Sequence, residues 1–179
     1  MRIAVLFASV ITLSTSVVAQ PVSSLSDIVR EFVQVDAPVV ALTHVQVVDG
    51  TGSPAASDQT IVLRSGRIAV VAPSDTVAVP ADAEVLDLTG HTVIPGFIGL
   101  HDHTFYMTRG RRVQLNFSAP RLYLASGVTT IRTTGAFSPY SELNLKHSIA
   151  TGELPGPRMY ITGPYITGTG AMTQMKAVS

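Results

Sequence analysis

Two histidines two positions apart, His101 and His103, are the residues of this 179-residue chain best suited to chemistry. They close an apolar run, residues 97–100, that reads as a fully buried strand with its polar residues gathered at the carboxyl end. In an extended segment, side chains at i and i+2 leave the same face, so both imidazoles are expected on one side and Asp102 on the other. Two neutral imidazoles one pleat apart can share a divalent cation of the zinc, iron, nickel or manganese class. A bare His-x-His is also what a hydrogen-bonded pair at a strand end looks like, and spacing alone leaves both readings open. The chain has no cysteine, which excludes disulfides, thiolate zinc sites and cysteine nucleophiles. Any metal must therefore use nitrogen or oxygen ligands.

Other polar residues carry weaker signals. Tyr106, three residues past His103, stands where a loop after a strand would line a substrate pocket, or where a half-buried structural tyrosine would sit. Arg132, at the end of a strand, suits a substrate carboxylate or an internal ion pair. His44 and His91 fall in strands or turns and read as structural, as does His147 near the end of a helix, where the helix dipole favours a cation. Arg109, Arg111 and Arg112 make a short basic loop without the aromatic platforms of a nucleic-acid site. Gly168-Thr169-Gly170 lacks the lysine and the glycine spacing of a phosphate loop.

The elements that must hold the histidines are legible from periodicity and turn residues. Residues 39–48 are rich in β-branched side chains and end in Asp49-Gly50-Thr51-Gly52, a turn signal. Residues 60–63 and 68–71 flank Arg64-Ser65-Gly66-Arg67, where Gly66 can take the positive φ of a tight hairpin. Residues 85–88 and 92–94 repeat that arrangement. Four or five short strands without helices predict a small β-sandwich, or part of one, over residues 39–94. From Pro95-Gly96 the rhythm changes. A strand at 97–100, a helix at 119–126 with Ser118 as cap and Pro120 in its first turn, a strand at 128–132, a helix opened by Ser138-Pro139 and stopped near Gly152, and a strand at 158–162 begin a parallel α/β array. Leu145 and Ile149, one turn apart, mark the buried face of the second helix.

The stretch Val93-Ile94-Pro95-Gly96-Phe97-Ile98-Gly99-Leu100-His101-Asp102-His103 resembles the first barrel strand of the amidohydrolase superfamily, whose signature reads Pro-Gly-x-Ile-Asp-x-His-x-His. The hairpin Leu63-Arg64-Ser65-Gly66-Arg67-Ile68-Ala69, with Asp87-Leu88-Thr89-Gly90, looks like the small sandwich that precedes the barrel. Ala125-Ser126-Gly127-Val128-Thr129-Thr130-Ile131-Arg132 and Gly152-Glu153-Leu154-Pro155-Gly156-Pro157-Arg158 are similar to the second and third barrel segments of the imidazolonepropionase-like and Xaa-Pro dipeptidase-like branch. Gly99 stands where most members of the superfamily have Asp, which removes a carboxylate that could hydrogen-bond the histidines from behind. The Gly-x-His-Asp-His form is typical of this branch.

The resemblance implies a fold and a site. The fold is α/β with a small β-sandwich, followed over residues 95–179 by the first three βα units of an incomplete TIM (β/α)8 barrel. His101 and His103 would ligate the more buried metal of a centre with one or two divalent ions, zinc first among them. Such an ion brings bound water towards a pKa of about 7 and polarises a carbonyl, which suits hydrolysis of an amide-like C–N bond. The family's remaining ligands, a lysine or glutamate, two histidines and an aspartate from later strands, have no counterparts here; Lys146 and Lys176 are not at strand ends. A closed barrel takes about 250 residues, so the chain is read as the amino-terminal part of an amidohydrolase, inactive as it stands.

Composition completes the expectations. Met1-Arg2, an apolar run over 3–13 and Val17-Val18-Ala19 have the layout of a secretory signal over residues 1–19, too short to span a bilayer. Residues 20–38 read as a linker with one helical turn. The product would be exported, periplasmic or secreted, with no membrane span after signal removal. Twelve Lys plus Arg against twelve Asp plus Glu give zero net charge, which argues against a nucleic-acid partner. The partner implied is a small-molecule or dipeptide-like substrate. The alternative is a non-enzymatic envelope protein that binds through its sandwich, with the histidine pair a relic or weak metal site.

Overall fold

The computed structural model describes residues 20–108 and 111–166. The expected signal, Arg109, the 168–170 glycine segment and Lys176 lie outside the described residues. Among those described, no helix is long and apolar enough to cross a membrane.

Residues 20–38 do contain a helical turn, but they are tied down rather than free. A 3-10 turn, Val22–Ser24, leads to the four-residue helix α1, Asp27–Arg30. The Ser26 hydroxyl caps α1 by accepting from the Val29 amide at 3.3 Å, and donates to the Glu153 carbonyl at 2.8 Å. The Gln20 side chain donates to the Ala150 carbonyl at 3.0 Å.

Strands β1 (Val39–Val47), β2 (Ala56–Arg64), β3 (Arg67–Pro73), β4 (Glu84–Asp87) and β5 (Thr92–Val93) form one mixed sheet. β1 pairs antiparallel with β2, β2 antiparallel with β3, and β4 and β5 run parallel to β1. Alternate residues of β1, Val39, Ala41, Thr43 and Val45, are buried, the period-two signature of a strand with one covered face. The β2–β3 hairpin turns through Ser65 and Gly66, both at positive φ (50° and 72°), as a type I′ turn requires. Over 39–94, where a small sandwich or part of one is expected, the strands assemble edge to edge around β1 into one five-stranded sheet.

The second part is α/β. Strand β6 (Phe97–Asp102), hairpin strands β7 (Phe105–Thr108) and β8 (Arg111–Gln114), helix α2 (Ser118–Ala125), strand β9 (Val128–Thr133), helix α3 (Pro139–Ala150) and strand β10 (Arg158–Tyr160) follow in order. β6, β9 and β10 form an open parallel sheet in the order β10-β9-β6, with α2 and α3 as crossovers. Ile131, Leu145 and Met159 make its core, with Tyr123, Val128, Ile149, Leu154 and Ile161 packed around them. Leu145 and Ile149 do mark the buried face of α3.

Three expectations are corrected here. β6 is not a buried strand: Phe97, Ile98 and Leu100 are 54%, 63% and 68% exposed, because β6 is an edge strand with β9 alone beside it while α2 packs on β9 and α3 on β10. The arginine-rich segment is not a simple loop, since Arg111 and Arg112 lie in β8 and the Arg112 guanidinium stacks 4.2 Å from the Phe137 ring centroid. Ser118 is the first residue of α2 rather than its cap; Phe117 holds that position without a side-chain bond.

Candidate metal centre

His101 is in the last turn of pleat of β6 and His103 just beyond its end. Their ring centroids are 5.4 Å apart with planes at 88°. A metal about 2.1 Å from an imidazole nitrogen lies about 3.2 Å from that ring's centroid, so two rings on one cation at a near-tetrahedral angle stand about 5.2 Å apart. The observed separation fits that value. The Nδ1 atom of His103 is buried without a hydrogen-bond partner, as expected of a ring whose partner is a ligand. Burial, helped by the neighbouring His101, lowers the His103 pKa, which favours the neutral imidazole that metal ligation requires. Among the described residues no third His, Asp or Glu joins them in a group able to hold an ion.

Asp102 does not stand clear of the pair's side of the strand as ideal alternation predicts. β6 has an extra residue relative to β9 between Gly99 and Asp102, a bulge that bends the strand. The Asp102 carboxylate consequently folds over Gly99: a Cβ at position 99 would meet Asp102 Cγ at 2.7 Å and Oδ1 at 2.9 Å. Glycine at 99 is the residue that leaves room for the carboxylate. Asp102 Oδ2 is buried and unpartnered.

The surroundings of His103 come from residues that sequence reasoning passed over. Phe105 packs 4.7 Å from its ring and itself stacks on Phe137 at 4.5 Å. The Tyr123 hydroxyl of α2 donates to the His103 carbonyl at 2.9 Å. Thr104, fully buried, accepts from Gln114 Nε2 at 2.8 Å and meets Glu142 Oε1 at 3.3 Å. Alternation through β7 could have signalled Phe105, since Tyr106, its neighbour, is 69% exposed. A glutamate buried on α3 has no comparable sequence signature. Arg132 is exposed and donates to the Leu100 carbonyl at 3.5 Å; among the described residues it makes no ion pair. His147 lies in the last turn of α3. His44 on β1 and His91 just before β5 line a shallow cleft of about 420 Å3 with Gln46, Asp58, Thr89, Gly90 and Thr92.

Chain order, mixed sheets and βα crossovers define an α/β protein. No protein-family model matches the chain. Among solved structures, a Bifidobacterium longum protein assigned as a prolidase matches with a TM-score of 0.59 and 35% identity, over 75% of this chain and 33% of that one. A Xaa-Pro dipeptidase with methionine bound in its active site matches with a TM-score of 0.61 and 24% identity, over 74% of this chain and 35% of that one, a likeness of fold. In sequence, 62 residues are 45% identical to the N-substituted formamide deformylase of Arthrobacter pascens, covering 34% of this chain and 11% of that protein. The chain thus spans about a third of these solved structures and about a tenth of the curated relative. The resemblance to the amidohydrolase superfamily carried by the motifs holds in both sequence and fold.

Proposed function

We propose that the chain is the metal-binding start of an exported hydrolase of amide-like C–N bonds, with His101 and His103 as ligands to one divalent ion, zinc first among the candidates. The carrying observation is the 5.4 Å spacing of two imidazoles, one of which has a buried, unpartnered nitrogen. A bound divalent ion supplies a nucleophilic water at neutral pH and polarises a carbonyl. The chain's own contribution is positional. β6 brings the two rings together, and Phe105 packs against the His103 ring. The Tyr123 hydroxyl holds the His103 carbonyl and the Leu115 amide holds the Thr104 carbonyl. Tyr106, on the exposed face of β7, would line the substrate side. The names of the relatives support the substrate class, since a formamide deformylase and a Xaa-Pro dipeptidase both break an amide C–N bond. A small cyclic amide or a dipeptide-like molecule is accordingly the substrate proposed, met in the periplasm or outside the cell.

The test is zinc binding by the 179-residue chain, followed by isothermal titration, against His101→Ala and His103→Ala. Binding of one equivalent that each substitution weakens at least about tenfold supports the reading. Binding unchanged by both substitutions refutes it.

A further inference from the structure

Glu142 is the one carboxylic acid among the described residues whose side chain is fully buried, at 1% exposure, and nothing in the proposed chemistry uses it. It reaches from α3 to the carboxyl ends of two strands. Gln114 Nε2 can only donate, so the Thr104 hydroxyl accepts from it at 2.8 Å and turns its own proton to Glu142 Oε1, 3.3 Å away. Thr133, likewise fully buried, accepts the Thr162 amide at 3.1 Å and lies near the same carboxyl group, whose Oε2 is buried without a hydrogen-bond partner. The hydroxyl that Glu142 accepts from thus belongs to the residue after His103, and the end of β9 closes over the other carboxyl oxygen. The Thr104 carbonyl is also held, by the Leu115 amide at 2.8 Å. A buried carboxyl is a costly way to fill space; a leucine of similar size would avoid the desolvation. What the carboxyl adds is a fixed orientation for Thr104, one peptide bond from His103, whose carbonyl accepts from Tyr123 and whose ring packs on Phe105.

We propose that Glu142 is a positioning residue for His103: acting through Thr104, it holds the second imidazole in the orientation that lets both rings share one cation. This rests on the metal reading of the pair, and the experiment separates the two. The full chain is compared with Glu142→Gln, Glu142→Leu and Thr104→Val, first without metal and then with zinc chloride as the probe. Without metal, the cross-peaks between the His103 imidazole and the Phe105 ring are followed by NMR, with Ala41–Val62 cross-peaks reporting on the distant sheet. Glu142→Gln, which keeps an acceptor for Thr104, should retain the His103–Phe105 contact. Glu142→Leu and Thr104→Val should lose it while the Ala41–Val62 signals persist. In the titration the same two variants should bind zinc about 10- to 100-fold more weakly, the usual effect of removing an outer partner of a ligand. A His103–Phe105 contact preserved in both variants overturns the proposal, as does zinc affinity that falls in His103→Ala but not in either of them. Zinc affinity indifferent to His103→Ala overturns the metal reading instead, and the metal-free contact then decides the role of Glu142 alone. Should Glu142→Leu fail to fold, Thr104→Val, which removes only the linking hydroxyl, decides the matter.

Discussion

The crowding at Gly99 gives a quantitative prediction. A methyl group at this position would meet Asp102 Cγ at 2.7 Å and Oδ1 at 2.9 Å, with Oδ2 nearer still, where relaxed contacts of this kind lie at about 3.5 Å. Gly99→Ala must therefore push the carboxylate aside by most of an ångström. Oδ2 surrenders no hydrogen bond when it moves, because it has none. The cost is steric: about 0.5–1.5 kcal/mol for an off-rotamer side chain, up to about 3 kcal/mol if the neighbours resist. A loss of about 1–3 kcal/mol corresponds to a fall in Tm of roughly 2–12 °C for a chain of this size. Thermal unfolding followed by circular dichroism measures it. In an Asp102→Ala background the methyl enters vacated space, so Gly99→Ala should cost under about 0.5 kcal/mol there, giving a coupling of about 0.5 kcal/mol or more between the sites. A Gly99→Ala chain as stable as the parent, or equally destabilised in both backgrounds, would refute the link between the glycine and the carboxylate.

Three further outcomes follow from described contacts. Burial raises the Glu142 pKa above its ordinary 4.5, so the folded chain holds that proton more tightly than the unfolded one. Its favourable term is complete below pH 4.5 and drains away as pH rises through the folded value; urea midpoints of the parent should fall relative to Glu142→Gln over that interval, and parallel curves would contradict the assignment. On the open sheet the His44 ring bonds Asp58 Oδ1 at 2.7 Å and, with Ser74, lowers the carboxyl's pKa below 3.8. Its contribution is present above pH 3.8 and lost on acidification through the depressed value, and His44→Gln should shift the Asp58 carboxyl titration upward in NMR. Ser26→Ala removes both the α1 cap and the bond to Glu153, and should cost about 1 kcal/mol with faster amide exchange at Val29.

Local patterns made the elements legible, and the failures have physical causes. The β-branched run of β1, the Ser65-Gly66 turn and the Pro139 start of α3 are decided by a few neighbouring residues, and they form as expected. The burial of β6 was misread because an apolar run reports what a strand would cover, whereas exposure depends on which elements lie beside it. The β7–β8 hairpin was missed because its arginines suggest solvent, although an arginine can lie flat on an aromatic ring, as Arg112 does on Phe137. The candidate pair His101 and His103 stands out in the sequence by its spacing. Their supports do not: Glu142 meets Thr104 across 38 positions of chain, and periodicity carries no information about such pairs.

β1 has a neighbour on each side, the adjoining hairpin strand on one and two late-arriving strands on the other. The hairpin can close quickly, since few residues separate its partners, but Val40 must wait for Glu84 and Val47 for Val93 before the parallel half assembles. Folding of this sheet is therefore paced by chain search rather than by turn formation. Weakening the returning strands would therefore slow the approach to the native sheet.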